Sequence, residues 1–412
     1  SFYLGVVMAV IDILPADGKV IAEGPVGCSV EVCDDDFRHL DIGLPPEILR
    51  LKDAGYLTQA VAACDRLLKQ NPDPSLAACV RAERYRMIET PLHFSVSRDR
   101  AIAMIREEWP EFTEDQFDDL INRKRIDWRF IDGELFVLDN FLDSLRVYPK
   151  EVPGLRPDST DGIALRNQML EEMESQGGLS RAITLKACVS VPGALEGETV
   201  RAWLPVAATC RLQSQVVILD MTSEGAIAPA NASARTASWT SSTEHSFSVT
   251  YRYHIDAAYC DIYGGALPAH PCMDTPLPED ISENRPHIAF TPYLQQLTER
   301  VVDGLEDQLD RARAIYDYLT LHIDYRYQPP YLLLGSIADD CAHSLRGDCG
   351  VMALTFITMC RIAGVPARWQ SGLYVAPDSV GPHDWAEFYT PQTGWLNADV
   401  SFGSSARRMG EE

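Results

Sequence analysis

The N-terminal part of the chain alternates between helical patterns and short breaks. Residues 45–70 place apolar side chains at helical spacing with one interruption at Gly55. Residues 75–89 continue with a second helical pattern, for which Ser75 is a suitable N-cap. The two patterns predict a single pair of helices, and because no second pair follows, an array of helical repeats is not indicated. The apolar residues 1–14 predict a buried strand ahead of these helices.

Two further helices and a hairpin follow. Ser97 and Thr113 are suitable N-caps for successive helices, and Asp132 and Gly133 form a dipeptide suited to a type I′ turn between two strands. Helix, helix and hairpin in this order outline a winged helix. A winged helix can bind DNA, but acidic residues surround the basic trio at 123–125, which favours a structural or interaction module instead.

The period of the pattern changes to two in the middle of the chain. Before the change, residues 163–175 predict one polar helix. Four segments then alternate apolar and polar side chains with turn residues between them, namely 181–191, 199–207, 213–221 and 246–257. Short alternating strands of this kind predict a β-sandwich-like module.

The last part of the chain returns to helices and ends in strands. Residues 291–323 predict two helices, and an apolar helix begins at Cys349 and ends at Gly364. Three strand-like segments follow at 367–377, 383–391 and 394–402. Helices followed by an antiparallel sheet are typical of an α+β core.

These patterns predict a multidomain α+β chain in five parts. They are a mostly helical N-terminal domain with a winged-helix-like hairpin at 1–155, a linker helix at 156–180, a β-sandwich-like module at 181–266, a linker at 267–287 and a core at 288–412.

Composition limits the partners and the compartment. The chain has 412 residues, 46% of them hydrophobic, enough for several cores. Its net charge of −24 disfavours a nucleic-acid partner, because phosphate binding needs clustered cations. The 11 cysteines are scattered without a C-x-x-C motif, which favours a reducing, cytoplasmic location. The apolar run at 1–14 is too short to span a membrane. An exported chain that has lost a signal peptide stays open as the alternative.

Cys349 is the first candidate for chemistry. Gly347 and Asp348 make a tight approach to the apolar helix, so the cysteine lies at a helix N-terminus. There the macrodipole and free N–H groups stabilise an anion, and the pKa of a thiol is expected to fall from about 8.5 by one or more units. The same N–H groups can bind an oxyanion.

His383 and Asp399 complete a candidate nucleophile, base and orienting group. His383 begins an alternating strand 34 residues after Cys349, and Asp399 lies 16 residues further on the facing strand. Neighbouring antiparallel strands are about 5 Å apart, so a cross-strand His–Asp hydrogen bond is expected. Each residue taken singly is more often structural. All three in this order favour a catalytic thiol.

Four short motifs strengthen this interpretation. The segments "RGDCGVMALTFITMCRIAGVPARW", "HDWAEFY" and "GWLNADVSFG" resemble the core of the transglutaminase-like superfamily. The resemblance rests on a G-x-C helix start, an R-x-x-G-[IV]-P-A-R segment, an H-x-W strand and a W-x-x-x-D strand, and it covers about residues 180–412. It implies a bacterial-type multidomain member with a papain-like core and a triad of Cys349, His383 and Asp399.

The resemblance also implies an oxyanion donor, a Trp or Tyr upstream of the cysteine. Tyr325 and Tyr327 are the candidates here. The family core usually continues with more strands after the aspartate, whereas 13 residues follow Asp399 in this sequence.

Other chemistries have less support. The sequence contains no H-E-x-x-H, G-x-S-x-G, G-x-x-x-x-G-K-[ST] or G-x-G-x-x-G motif. Zinc bound by Cys341, His343 and Cys349 is disfavoured, because a C-x-x-C and a second histidine are missing. We therefore expect neither a metal nor a cofactor.

The sequence thus predicts a cysteine-dependent hydrolase, a peptidase or amidase, that cleaves amide or isopeptide bonds of a protein or peptide through a thioester. Two alternatives remain, a protein-glutamine transamidase and a catalytically silent interaction module. The sequence leaves the oligomeric state open.

Overall fold

The structure is a computed structural model. It describes residues 42–157, 161–191, 197–232, 234–265, 274–376 and 379–409. The strand predicted within residues 1–14 lies outside the described residues.

The N-terminal part is helical apart from one small sheet. Its elements are α1 (Pro46–Asp53), α2 (Leu57–Leu68), α3 (Pro74–His93), β1 (Val96–Ser97), α4 (Arg98–Glu108), α5 (Glu114–Asn122), β2 (Trp128–Ile131), β3 (Glu134–Val137), α6 (Phe141–Arg146) and α7 (Asp161–Gln176). The antiparallel sheet has the order β1-β3-β2.

Local signals explain most of these boundaries. Gly55 separates α1 from α2 with a φ of 77°, a left-handed conformation that favours glycine. Ser97 caps α4 and Thr113 caps α5, as predicted. The Ser75 prediction is wrong, because Asp73 is the N-cap of α3 and accepts a hydrogen bond from the Ser75 amide. Pro74 occupies the first helical position, which suits its fixed φ.

The middle part consists of two three-stranded antiparallel sheets. Its strands are β4 (Gly178–Ser190), β5 (Val200–Pro205), β6 (Gln213–Met221), β7 (Ala226–Ile227), β8 (Thr236–Ser241) and β9 (Ser246–Ala258). The sheet orders are β4-β9-β6 and β5-β8-β7, and side chains from both sheets form one apolar core. The four predicted strands form. The sequence analysis missed β7 and β8, because β7 has two residues and β8 is rich in Ser and Thr.

The C-terminal part packs helices against a three-stranded antiparallel sheet. Its elements are α8 (Pro292–Val301), α9 (Gln308–His322), β10 (Asp324–Tyr325), α10 (Ile337–Ser344), β11 (Arg346–Gly347), α11 (Cys349–Ile362), β12 (Ala367–Ala376), β13 (Ser379–Thr390), β14 (Gly394–Ala398) and α12 (Val400–Met409). The sheet has the order β12-β13-β14, and β10 pairs with β11 in parallel.

Helix α11 is the centre of this part, buried from Gly350 to Arg361. Because neighbours surround it, polar groups at its C-terminal end need partners within the protein. Arg311 of α9 donates to the Ala363 carbonyl at 2.9 Å, and Gln308 donates to the Gly364 carbonyl at 2.6 Å. Gly364 has a φ of 76°, which confirms it as the glycine that ends the helix.

The chain forms a helix where the sequence predicted the end of the last strand. β14 stops at Ala398, and residues 400–409 form α12 instead of continuing the sheet. Asp399 explains the change, because its carboxylate accepts hydrogen bonds from the Phe402 amide at 2.9 Å and the Ser401 hydroxyl at 2.8 Å. A side chain that binds amides of the first turn in this way caps a helix.

Tyr148, which follows α6, joins the N-terminal part to the C-terminal core. Its hydroxyl donates to the Tyr325 carbonyl at 2.9 Å and accepts from the Arg408 guanidinium at 2.7 Å. The guanidinium carbons of Arg326 and Arg125 lie 4.1 and 4.6 Å from its ring centroid. Cation–π contacts contribute about 0.5–1 kcal/mol when exposed and about 2 kcal/mol or more when desolvated. This contact ties α12 to the N-terminal part.

Among the described residues, no helix combines the length and apolarity that crossing a membrane requires.

Two leucines of α9 allow a matched test of core packing. Leu319 is fully buried, whereas Leu321, two residues later, is 65% exposed. We expect Leu319→Ala to lower the free energy of unfolding by about 2–5 kcal/mol, because it removes buried methyl groups and leaves a cavity. Leu321→Ala should change it by about 0.5 kcal/mol or less. Urea denaturation of both variants checks this, and equal effects would contradict the packing described.

Candidate active site

Cys349 is the first residue of α11, and Asp348 is the N-cap of that helix. The Asp348 carboxylate accepts a hydrogen bond from the Val351 amide at 3.0 Å. Gly347 precedes the cap at a crowded position, where an added Cβ would lie 2.6 Å from a Val351 methyl carbon. The Gly-Asp-Cys sequence therefore brings the chain close to the helix and leaves the half-buried thiol at its N-terminal end.

His383 and Asp399 form a close pair. The His383 Nε2 atom lies 2.5 Å from the Asp399 Oδ2 atom. His383 lies on β13, whereas Asp399 directly follows β14 and does not belong to the facing strand as predicted. As the N-cap of α12 it has a fixed orientation, and Tyr316 also donates to its backbone carbonyl at 3.0 Å. The hydrogen bond predicted from the sequence is present, with a helix cap as its geometric basis.

Aromatic rings surround the His383 imidazole. The Phe402 ring stacks on it with centroids 4.7 Å apart and an interplanar angle of 20°. Trp385 lies on the same face of the strand at 6.1 Å, and Tyr374 of β12 contacts Phe402 edge to face at 6.1 Å. Phe402 is 45% exposed, so part of this aromatic surface faces solvent beside the histidine.

The Cys349 thiol is directed to the neighbour of His383. Its Sγ atom lies 3.9 Å from the Asp384 Oδ2 atom, to which it donates a hydrogen bond. Within the described residues, the thiol and the His383 ring share no hydrogen bond. The structure thus brings Cys349 to the strand of His383, and the catalytic roles of the three residues remain a prediction.

The pKa of Cys349 moves in the direction opposite to that expected from its helix position. Burial and the charges of Asp348 and Asp384 raise the pKa of the thiol to about 12, whereas a hydrogen bond from the Asp384 backbone lowers it. A helix N-terminus stabilises an anion by about 0.3–1 kcal/mol, less than one pKa unit. Burial and like charges can each raise a pKa by several units. The carboxylates and burial therefore outweigh the helix.

Tyr331 belongs to the surroundings of the thiol, and the sequence analysis missed it. Its hydroxyl donates to the Asp348 Oδ1 atom at 2.5 Å. An added Cβ at Gly350 would lie 2.3 Å from this hydroxyl oxygen and 2.9 Å from the Asp384 Oδ2 atom. Gly350 therefore permits Tyr331, Asp348 and Asp384 to close around Cys349.

The two tyrosines predicted as oxyanion donors precede Tyr331 in the chain, and Tyr325 pairs with Gly347 of β11, two residues before Cys349. Tyr325 belongs to β10 and packs on the core of the C-terminal part. Tyr327 contacts its ring edge to face at 5.6 Å, and the Tyr327 amide donates to the Ser144 hydroxyl of α6 at 3.2 Å. No sequence signal distinguishes these tyrosines from Tyr331, whose hydroxyl binds the Asp348 carboxylate at the start of α11, and the role of Tyr325 and Tyr327 as oxyanion donors stays a prediction.

A separate cavity of about 300 Å³ lies between the N-terminal part and the C-terminal core. Arg129 and Asp127 from the first and Asp340 and Arg346 from the second contribute to its lining. Arg346 pairs with Asp127 at 2.6 Å. Since Cys349 and His383 are not among its lining residues, this cavity is distinct from the surface around the thiol.

Comparisons with known proteins agree with the motifs. Residues 295–400 match the family model described as the transglutaminase-like superfamily. No curated protein matches the chain significantly.

Two solved structures are similar to the chain. One, from Cytophaga hutchinsonii, carries a provisional name as a cysteine protease; it is 19% identical with a TM-score of 0.41, over 54% of this chain and 77% of that one. The other is the periplasmic domain of TgpA from Pseudomonas aeruginosa, 15% identical with a TM-score of 0.33, over 58% and 76% of the two chains. At these values the likeness carries no argument about activity.

Asp348 predicts a pH dependence of stability. Burial raises the pKa of its carboxyl from 3.8 to about 6. Between about pH 4 and pH 6 the folded protein therefore holds a proton that the unfolded chain has lost, so stability falls as pH rises. Two pKa units correspond to about 3 kcal/mol. Asp348→Asn keeps a capping side chain, and its free energy of unfolding should lack this decrease.

Urea denaturation of both proteins at several pH values measures the difference. Asp307→Asn, at the N-cap of α9, is the matched control. A hydrogen bond from Gln392 lowers the pKa of the Asp307 carboxyl. Its contribution to stability is lost as pH falls, the opposite sign. Parallel pH profiles for the wild type and Asp348→Asn would contradict the prediction.

Proposed function

We propose that this chain, which carries a transglutaminase-like domain at residues 295–400, is a cysteine-dependent hydrolase of amide or isopeptide bonds. The observation that carries the proposal is the 2.5 Å contact between His383 Nε2 and Asp399 Oδ2 on elements adjacent to Cys349. Nucleophilic catalysis by a thiol needs a base that accepts its proton and a third group that orients this base, and His383 and Asp399 supply the second and third parts of that arrangement.

In this mechanism Asp399 fixes the tautomer of His383. Nε2–H donates to the carboxylate, which leaves the lone pair of Nδ1 free to accept the proton of the Cys349 thiol. The sulfur attacks the carbonyl carbon, a C–S bond forms, and the carbonyl oxygen becomes an oxyanion that the first N–H groups of α11 face.

Collapse of the oxyanion completes acylation. His383 returns its proton to the leaving nitrogen, the C–N bond breaks, and an amine departs from a Cys349 thioester. Water then attacks the thioester with His383 again as the base. The products are a carboxylic acid and the free thiol, so atoms and protons balance.

The proposed substrate is a protein or peptide. The half-exposed Phe402 ring, with Trp385 and Tyr374, offers an apolar surface directly beside His383. Aromatic rings in this position suit an apolar side chain next to the bond that is cleaved. A transamidase would use the same thioester and differ only in the acceptor, an amine instead of water.

For the flanking parts we propose a winged-helix-like unit at β1 to β3 and a β-sandwich-like module at β4 to β9. The first unit is supported by the β1-β3-β2 sheet together with α4 and α5. The second is supported by the single core between the two sheets of the middle part. We propose that both act in protein contacts, since the net charge of −24 disfavours nucleic acid.

The test uses the full chain and fluorescein-labelled casein as a general protein probe. Release of labelled peptides measures hydrolysis, and covalent incorporation of a dansylated primary amine into casein measures transamidation. We expect hydrolysis by the wild type and none by Cys349→Ser. His383→Ala should lower the rate by about 10²–10⁴-fold, the usual contribution of a general base.

Asp399→Asn keeps a capping side chain but removes the charge next to His383, and it should also lower the rate by on the order of 10²-fold or more. Cys210→Ser, at an exposed thiol, is the matched control and should cleave casein at the wild-type rate. Amine incorporation without peptide release would identify a transamidase. Wild-type rates in Cys349→Ser would refute the thiol mechanism, and inactivity of the wild type in both assays would favour the silent module.

A further inference from the structure

Asp384 occupies the face of β13 that packs on α11. Because side chains alternate along a strand, Asp384 lies on the same face as Ala386 and Phe388, and all three are buried. Phe388 contacts Phe356 of α11 edge to face, with ring centroids 5.9 Å apart. His383 lies on the opposite face, beside Phe402. Asp384 is therefore a carboxyl group in a row of apolar positions, 3% exposed.

The partner of this buried carboxyl is the thiol. Among the described residues, Cys349 supplies the one hydrogen bond to the Asp384 side chain, at 3.9 Å. A buried carboxylate without strong donors is unfavourable for folding, since burial penalises charge and weak partners do not compensate it. A residue with only a packing role at this position would be apolar, like Ala386 and Phe388.

We propose that Asp384 holds Cys349 in its protonated form, so that the resting enzyme contains a neutral thiol and not a thiolate–imidazolium pair. This inference rests on the proposed function, in which Cys349 is the nucleophile. The Asp384 carboxylate accepts the thiol proton in a hydrogen bond and, as a negative charge beside the sulfur, opposes its ionisation. The thiol then loses its proton only to His383, as attack on the carbonyl proceeds.

Four further titratable residues among those described surround the thiol and Asp384, namely Asp348, Asp399, Tyr331 and His383. Asp348 at the helix start and Asp399 at the start of α12 add negative charge. Tyr331 donates to Asp348, and the charges of Asp348 and Asp384 together with burial raise its own pKa, which keeps it neutral. His383 is the one basic group of this set, and its Nε2 is engaged by Asp399.

The charge on Asp384 is itself sensitive to its surroundings. Burial raises the pKa of its carboxyl, and the nearby His383 lowers it. A protonated imidazole therefore favours the carboxylate form of Asp384. As a result, proton transfer from Cys349 to His383 would strengthen the charge that opposes the thiolate, which disfavours an ion pair before substrate binds.

The experiment measures the ionisation of Cys349 by alkylation of the full chain with iodoacetamide from pH 6 to pH 11. Peptide mapping by mass spectrometry follows each cysteine separately, and the exposed Cys188 and Cys210 are internal references. The midpoint of the pH profile reports the pKa independently of access, because restricted access lowers the rate equally at all pH values. For the wild type we expect the alkylation rate of Cys349 to keep rising up to pH 11 without reaching a plateau, so that its midpoint lies above this range.

Asp384→Asn keeps the shape of the side chain and removes the charge. We expect it to shift the Cys349 midpoint down by about one pH unit or more, the effect of removing a like charge, and so to raise alkylation at pH 8 about tenfold. Asp340→Asn is the matched control. Asp340 is a carboxyl of α10 whose pKa burial also raises, but it accepts from the Gly335 and Ser336 amides and does not contact the thiol.

Two results would overturn the inference. One is a Cys349 midpoint that Asp384→Asn leaves unchanged or raises, while circular dichroism matches that of the wild type. The other needs no variant: a wild-type Cys349 midpoint at or below the usual thiol value of about 8.5.

The alkylation assay requires no turnover, so the two proposals can fail separately. Cleavage of casein with an unshifted Asp384→Asn profile would refute the role of Asp384 alone. A shifted profile without cleavage would refute the hydrolase alone.

Discussion

The burial of α11 on every side is the constraint on which the C-terminal part depends. A helix with no solvent-facing side must satisfy the polar groups at its ends through its neighbours. At the C-terminal end, two side chains of α9 and Gly364 do this. At the N-terminal end, Asp348 and Tyr331 do it. Cys349 is then the first residue of a rigid element, and its position follows from the packing of the whole core.

This arrangement places the Cys349 thiol among carboxylates. Asp348 is needed as a cap, and Asp399 is needed both to orient His383 and to begin α12. Each has a structural reason that is independent of the thiol, yet each raises the pKa of Cys349. Among the described residues, the Asp384 side chain binds the Cys349 thiol and caps no helix, which is why we assign it a role in the chemistry of the thiol.

Sequence patterns predicted the local features well and the contacts between distant segments poorly. The caps at Ser97 and Thr113 depend on a few neighbouring residues, so they could be predicted. Tyr331 lies 18 residues before Cys349 in a single turn of 3-10 helix, and no period indicates its contact with Asp348. The direction of the thiol pKa depends on burial and on the approach of Asp384 and Asp399, which no local pattern shows.

The contact at Tyr148 limits which fragments of the chain can keep the surroundings of His383 intact. Asp399 caps α12. This helix carries Phe402, which stacks on His383, and Arg408, which binds the Tyr148 hydroxyl. The N-terminal part thus holds, through one tyrosine, the helix that orients the histidine. A fragment cut to the boundaries of the 295–400 match would lose most of that helix and its anchor. The unit that holds His383 and Asp399 in place is larger than the unit that sequence similarity delimits.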